Sequence, residues 1–77
     1  MEIKSNAKTI LEAQGKRAVD FMNWTIRQLP EDDQVSYFTA RRIAAGETDI
    51  RLRTAVLLSK YLDTPLDEIF KLSDERL

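Results

Sequence analysis

The chain has 77 residues, 43% of them hydrophobic and 32% charged, and its formal net charge is −1. This length allows one domain with a small core, and the composition is ordinary for a globular protein. The absence of cysteine and histidine excludes disulfides and thiolate metal sites, and it removes the commonest general base. The longest run of large apolar residues, Val56 to Leu58, is far too short to span a membrane. We therefore expect a cytoplasmic protein with no membrane partner.

Capping residues, prolines and glycines predict five helices and no strand. Gly15 and Gly46 follow helical patterns and are expected to end them, and Pro30 ends another because proline disfavours the α conformation of the preceding residue. Ser36 has the side chain of an N-cap, and Thr64 before a proline indicates a further helix start. The predicted helices cover, in chain order, about residues 9–14, 17–28, 36–45, 52–62 and a short segment from residue 65.

The spacing of apolar residues predicts which face of each helix is buried. In the fourth helix it favours Leu52 and Val56 as inward positions, and in the fifth it favours Phe70. The predicted fold class is all-α, with one domain over residues 1–72 and a C-terminal tail over 73–77. The predicted core comprises Ile10, Leu11, Phe21, Ile43, Leu52, Val56, Leu62, Leu66 and Ile69.

The charges are unevenly distributed along the chain. Residues 1–35 carry five Lys/Arg and six Asp/Glu, a net of −1, and residues 36–60 carry five and two, a net of +3. Residues 61–77 carry two and five, a net of −3. A basic central stretch can form a local surface for a polyanion. Solvated helix faces can produce the same pattern by chance, and charge alone favours that interpretation.

The third predicted helix carries the functional signal, because the face opposite its core positions holds Tyr37, Phe38, Arg41 and Arg42. Arginine can bind guanine N7 and O6 with two hydrogen bonds, and an aromatic ring can pack on a thymine methyl in the major groove. The other interpretation of Phe38 is packing against the second helix, which we favour for that ring. For Arg42, DNA contact and an ion pair with Asp32 or Glu47 are equally supported.

Several short motifs follow one another at characteristic spacings: Ile10-Leu11, Gly15, Phe21-Met22, Val35-Ser36, Thr39, Arg42-Ile43, Gly46-Glu47, Leu52-Arg53-Thr54, then residues 57–62 and 65–72. Together they resemble the Cro and phage-repressor (lambda repressor-like, XRE) family of helix-turn-helix proteins, over about three-quarters of the chain. The resemblance implies a five-helix DNA-binding domain and a repressor-like transcriptional regulator. It also implies sequence-specific binding to double-stranded DNA as a homodimer, with the helix over about 36–45 in the major groove.

The resemblance also implies which side chains contact DNA. Base contacts are expected from Tyr37, Phe38, Arg41 and Arg42, and phosphate contacts from Ser36, Arg51, Arg53, Lys16 and Arg17. Arg51 and Arg53 flank the start of the fourth helix, whose free amides favour a phosphate. Arg51 also stands where a capping side chain would be expected.

The chain departs from the family pattern in three places. Gln34 replaces a glycine before Val35, Ala18 replaces a glutamine, and about eight extra residues separate Phe21-Met22 from Val35-Ser36. The extra residues predict a longer second helix or a longer loop between helices two and three. They also bring the acidic residues 31–33 close to the expected DNA face.

Other functions receive less support from the sequence. The carboxylate pairs Asp32-Asp33 and Asp67-Glu68 have no second catalytic group beside them, and residues 31–33 lack the spacing of a calcium loop. We therefore predict no catalytic residues, no metal and no cofactor. The alternative function is a helix-turn-helix-shaped protein-interaction module or antitoxin-like protein that binds a second protein and little or no DNA. The expected dimer surface is the fifth helix and the tail, with Leu72 and Leu77.

Overall fold

The computed structural model describes residues 2–73, so Met1 and residues 74–77, including Leu77, lie outside the described part of the chain. Its elements are β1 (Glu2–Ser5), α1 (Ala7–Ala13), α2 (Ala18–Gln28), a 3-10 turn (Glu31–Asp33), α3 (Tyr37–Ala44), α4 (Leu52–Leu62), α5 (Leu66–Ile69) and β2 (Phe70–Ser73). The five predicted helices are confirmed, whereas the prediction of no strand is wrong. No helix in residues 2–73 is long and apolar enough to span a bilayer.

The two ends of the described chain pair as an antiparallel ribbon, with Ile3 opposite Leu72 and Ser5 opposite Phe70. The amide of Asn6 donates to the Ile69 carbonyl at 2.7 Å and holds the start of α1 against the end of α5. The predicted helical position of Phe70 is therefore wrong, because α5 ends at Ile69 and Phe70 begins β2. Each strand has four residues, so local periodicity carries little signal for a pairing between chain ends.

Most predicted helix ends are confirmed. Gly15 and Gly46 follow the C-cap residues of α1 and α3 and adopt positive φ angles of 67° and 93°, a conformation that glycine reaches without steric cost. The Ser36 hydroxyl accepts a hydrogen bond from the Thr39 amide and caps α3. The predicted cap at Thr64 is wrong: its hydroxyl donates to the Leu62 carbonyl at 2.9 Å, and Pro65 occupies the position before α5.

The core is confirmed in part. Leu11, Phe21, Ile43, Leu62 and Ile69 are buried, and Ile10 and Leu66 are half-buried. Leu52 and Val56 are 73% and 51% exposed, so their predicted burial is wrong. The fourth helix has apolar residues on two faces, and it buries the face formed by Ala55, Leu58 and Leu62.

A buried hydroxyl joins α2 to the start of α3. Thr25 is fully buried; its Oγ1 donates to the Met22 carbonyl at 2.7 Å and accepts from the Val35 amide at 3.0 Å. Residues 29–36 form the linker between α2 and α3, which contains the 3-10 turn. The Val35 hydrogen bond returns this linker to α2 directly before the Ser36 cap, and so it sets where α3 begins.

Replacing Thr25 by valine should destabilise the protein by about 1–2 kcal/mol. The substitution leaves the buried Val35 amide without an acceptor, which costs about 1–3 kcal/mol, and the new methyl group recovers part of that. Thr25→Ser is the matched control, because it keeps the hydroxyl and loses only a methyl group. Urea denaturation, monitored by circular dichroism, measures the free energy of unfolding of both variants. Equal stability of Thr25→Val and the parent would contradict the assignment of this hydrogen bond.

Candidate nucleic-acid interface

The third helix is anchored on one face and open on the other. Ala40 and Ile43 are each 1% exposed and attach α3 to the core, and α3 packs against α2. On the opposite face Tyr37, Phe38 and Arg41 are exposed. This arrangement leaves two aromatic rings and an arginine available to a ligand on a firmly held helix.

The expected packing of Phe38 against α2 is wrong. Its side chain is 72% exposed, because Ala40 and Ile43 occupy the face of α3 that meets the core. Each aromatic ring instead lies beside the arginine one turn later: the Arg41 guanidinium is 5.8 Å from the centroid of the Tyr37 ring, and that of Arg42 is 6.0 Å from the Phe38 ring. Such contacts orient the guanidinium groups at a small energetic gain.

Three of the arginines expected to contact DNA are paired with carboxylates in the free protein: Arg17, described below, Arg42 and Arg53. Arg42 forms an ion pair with Glu47, which was one of the two interpretations of Arg42. Arg53 Nη1 lies 2.8 Å from Asp33 Oδ1, a pairing that no local sequence pattern indicates because twenty residues separate the partners. Within residues 2–73, Arg41 forms no ion pair with a carboxylate.

A polar cleft of about 740 Å³ connects the 3-10 turn, α3 and the start of α4. It brings together four of the side chains expected to contact DNA: Ser36, Arg42, Arg51 and Arg53. The same cleft is lined by Asp32, Asp33 and Asp49, so it contains three arginines and three aspartates. The basic character of residues 36–60 is therefore neutralised locally, mainly by the acidic 3-10 turn.

Lys16 and Arg17 are not part of this cleft. Lys16 Nζ donates to the Tyr61 carbonyl at 3.3 Å and lies 4.4 Å from the centroid of the Tyr61 ring. Arg17 pairs with Asp20 at 3.3 Å, and the backbone amide and guanidinium of Arg17 lower the pKa of the Asp20 carboxyl below its usual value. Lys16 thus contacts the last turn of α4, about two turns along that helix from Arg53, and Arg17 pairs within the first turn of α2.

The ribbon and the start of α4 enclose a second feature, an apolar groove. It has a volume of about 890 Å³ and is lined mainly by Ile3, Ile50, Leu52, Leu66, Phe70 and Leu72. Ile3, Leu52 and Leu72 are 53%, 73% and 68% exposed. Leu66 of α5 and Leu72 belong to the dimer surface expected from the sequence. No local sequence pattern indicates that Ile3 lies beside them, because this depends on the ribbon of β1 and β2.

No model of a protein family matches the chain, and no curated protein matches its sequence. In the part of the chain that the structure describes, no group of three Asp or Glu side chains is placed to hold a metal ion.

Proposed function

We propose that this chain is a sequence-specific, duplex DNA-binding transcriptional regulator of the lambda repressor-like helix-turn-helix type, with a repressor-like role. The observation that carries the proposal is α3: it begins at the Ser36 cap, is anchored by Ala40 and Ile43, and exposes Tyr37, Phe38 and Arg41. A helix held in this way can enter a major groove with its side chains directed at base edges. The family resemblance of the sequence supports the same function.

The proposed interface divides into base and phosphate contacts. Arg41 is the principal base contact, because an arginine binds the two acceptors of guanine in the major groove. Phe38 and Tyr37 supply apolar contacts to thymine methyls or sugars, and Arg42 joins them when it exchanges Glu47 for DNA. Arg51 and Arg53, at the first turn of α4, bind phosphates that approach the helix amino terminus.

We also propose that the regulator acts as a homodimer. One small DNA-binding module buries only about 600–1,000 Å² of its surface, and helix-turn-helix proteins gain affinity by binding two half-sites about 34 Å apart. The apolar groove supports this assembly, because Leu52 at its edge lies between Arg51 and Arg53 in the chain. A second copy that covers the groove would therefore adjoin the proposed phosphate contacts of both subunits.

A second candidate is a protein-interaction module with weak or no DNA binding. Two observations favour it: the equal number of aspartates and arginines in the polar cleft, and the exposed apolar groove formed by Ile3, Leu52 and Leu72 with their neighbours. In this case the groove would bind a second protein and α3 would be an ordinary surface helix. The two candidates differ in whether the purified chain binds duplex DNA by itself.

The deciding experiment measures DNA binding by the purified protein. We expect the duplex from directly upstream of its own gene to bind at least about a thousandfold more tightly than a scrambled duplex of equal length and composition. Fluorescence anisotropy at several salt concentrations provides both dissociation constants. If neither duplex binds at the lowest salt concentration, the regulator proposal is wrong and the protein-interaction module is favoured.

A further inference from the structure

The acidic 3-10 turn binds one of the proposed phosphate contacts. Asp33, the last residue of the turn, accepts a hydrogen bond from Arg53 Nη1 at 2.8 Å. The side chain of Arg53 is 69% exposed and that of Asp33 is 35% exposed. A phosphate from solvent can therefore reach the guanidinium, but it meets a group that already has an anionic partner.

Two further aspartates of the polar cleft also oppose an approaching phosphate. Asp32 and Asp49 line the cleft with Asp33, together with Arg42, Arg51 and Arg53. A DNA phosphate that approaches Arg53 is attracted by the arginines and repelled by the aspartates at similar range. Without the carboxylates of the 3-10 turn, the lining would change from three charges of each sign to a net of +2.

We propose that Asp33 lowers the affinity of this protein for DNA by competing with the phosphate backbone for Arg53. The inference rests on the proposed function. In the free protein the guanidinium binds the Asp33 carboxylate, and on DNA it binds a phosphate oxygen instead. One charge-assisted hydrogen bond replaces another, so Arg53 contributes less to affinity than an unpaired arginine would. The released carboxylate also attracts cations from solution, which offsets part of the counterion release from DNA.

The opposite role for Asp33 would be to orient Arg53 toward the phosphate. The direction in which DNA affinity changes when the Asp33 charge is removed distinguishes the two roles. If Asp33 competes, removing its charge tightens DNA binding; if it orients the guanidinium, removing its charge weakens binding.

The test is Asp33→Asn, measured with the full chain on the upstream and scrambled duplexes across a salt series. We expect about two- to tenfold tighter binding at low salt for both duplexes, since an exposed ion pair is weak and Arg53 then binds its phosphate without giving up a carboxylate partner. The plot of log affinity against log salt should steepen by up to ~0.9. Asp32→Asn is the matched control: it removes the same charge from the same cleft, and within residues 2–73 Asp32 forms no ion pair. Asp32→Asn should produce a smaller gain in DNA affinity than Asp33→Asn.

A double variant tests whether Asp33 acts through Arg53. In the Arg53→Ala background, Asp33→Asn should produce no more gain than Asp32→Asn does. The inference is overturned if Asp33→Asn binds no more tightly than the parent, or if its full gain persists without Arg53. If the parent binds DNA in those cases, the proposed function stands. If no variant binds either duplex, including Asp33→Asn, both the inference and the proposed function fail. Thermal melting confirms that each variant is folded.

Discussion

Arg41→Ala should weaken binding to the preferred DNA site by about 1–3 kcal/mol and have much less effect on scrambled DNA. A bidentate arginine–guanine contact discriminates between bases by about this amount, and Arg41 is exposed on the open face of α3 without a carboxylate partner in the described residues. The ratio of the specific to the scrambled dissociation constant, measured by anisotropy, reports the effect. An unchanged ratio would show that α3 does not recognise bases through Arg41.

Two further variants serve as controls for this result. Arg51→Ala should weaken binding to both duplexes about equally and flatten the salt dependence by ~0.9, because a phosphate contact carries charge but no base preference. The side chain of Arg51 makes no capping hydrogen bond, so its removal should leave α4 intact. Arg27→Ala removes an exposed arginine of α2 that does not line the polar cleft. It should leave the specificity ratio unchanged.

Leu72→Glu should weaken the proposed homodimer by roughly a hundredfold or more. Full burial of a leucine contributes about 1.5–3 kcal/mol, and a two-fold symmetric interface contains each substitution twice. In the free subunit Leu72 is 68% exposed, so the fold should tolerate the change. Sedimentation velocity over a range of micromolar concentrations measures the monomer–dimer equilibrium without DNA.

Ile26→Glu is the matched control for the dimer. Ile26 is 48% exposed on α2 and does not line the apolar groove, so the same change of charge and size should not alter the assembly. A parent protein that is monomeric both free and on DNA would contradict the homodimer. Equal dimerisation of both variants and the parent would instead show that the groove is not the interface.

The sequence alone was sufficient for the presence of five helices and for the exposure of Tyr37 and Arg41 on α3, although it favoured a packed Phe38. The fourth helix was predicted over 52–62 and is observed over Leu52–Leu62. The cap at Ser36 and the glycines after α1 and α3 also function as predicted. These signals are local: a capping hydroxyl binds an amide three residues away, and a glycine ends a helix through its own backbone. The exposure of Tyr37 and Arg41 follows from the spacing of Ala40 and Ile43 along one helix.

The tertiary structure decided every feature that depends on residues far apart in the chain. The ribbon of β1 and β2 joins the two ends, and with it Phe70 leaves the helix and the apolar groove forms. In α4, helical periodicity admitted two apolar faces, and packing against the core selected Leu58 over Leu52 and Val56. The Asp33–Arg53 pair depends on where the linker between α2 and α3 passes the start of α4. Local sequence patterns specify which groups a helix exposes, but only the folded chain determines which distant charge or apolar side chain each group meets.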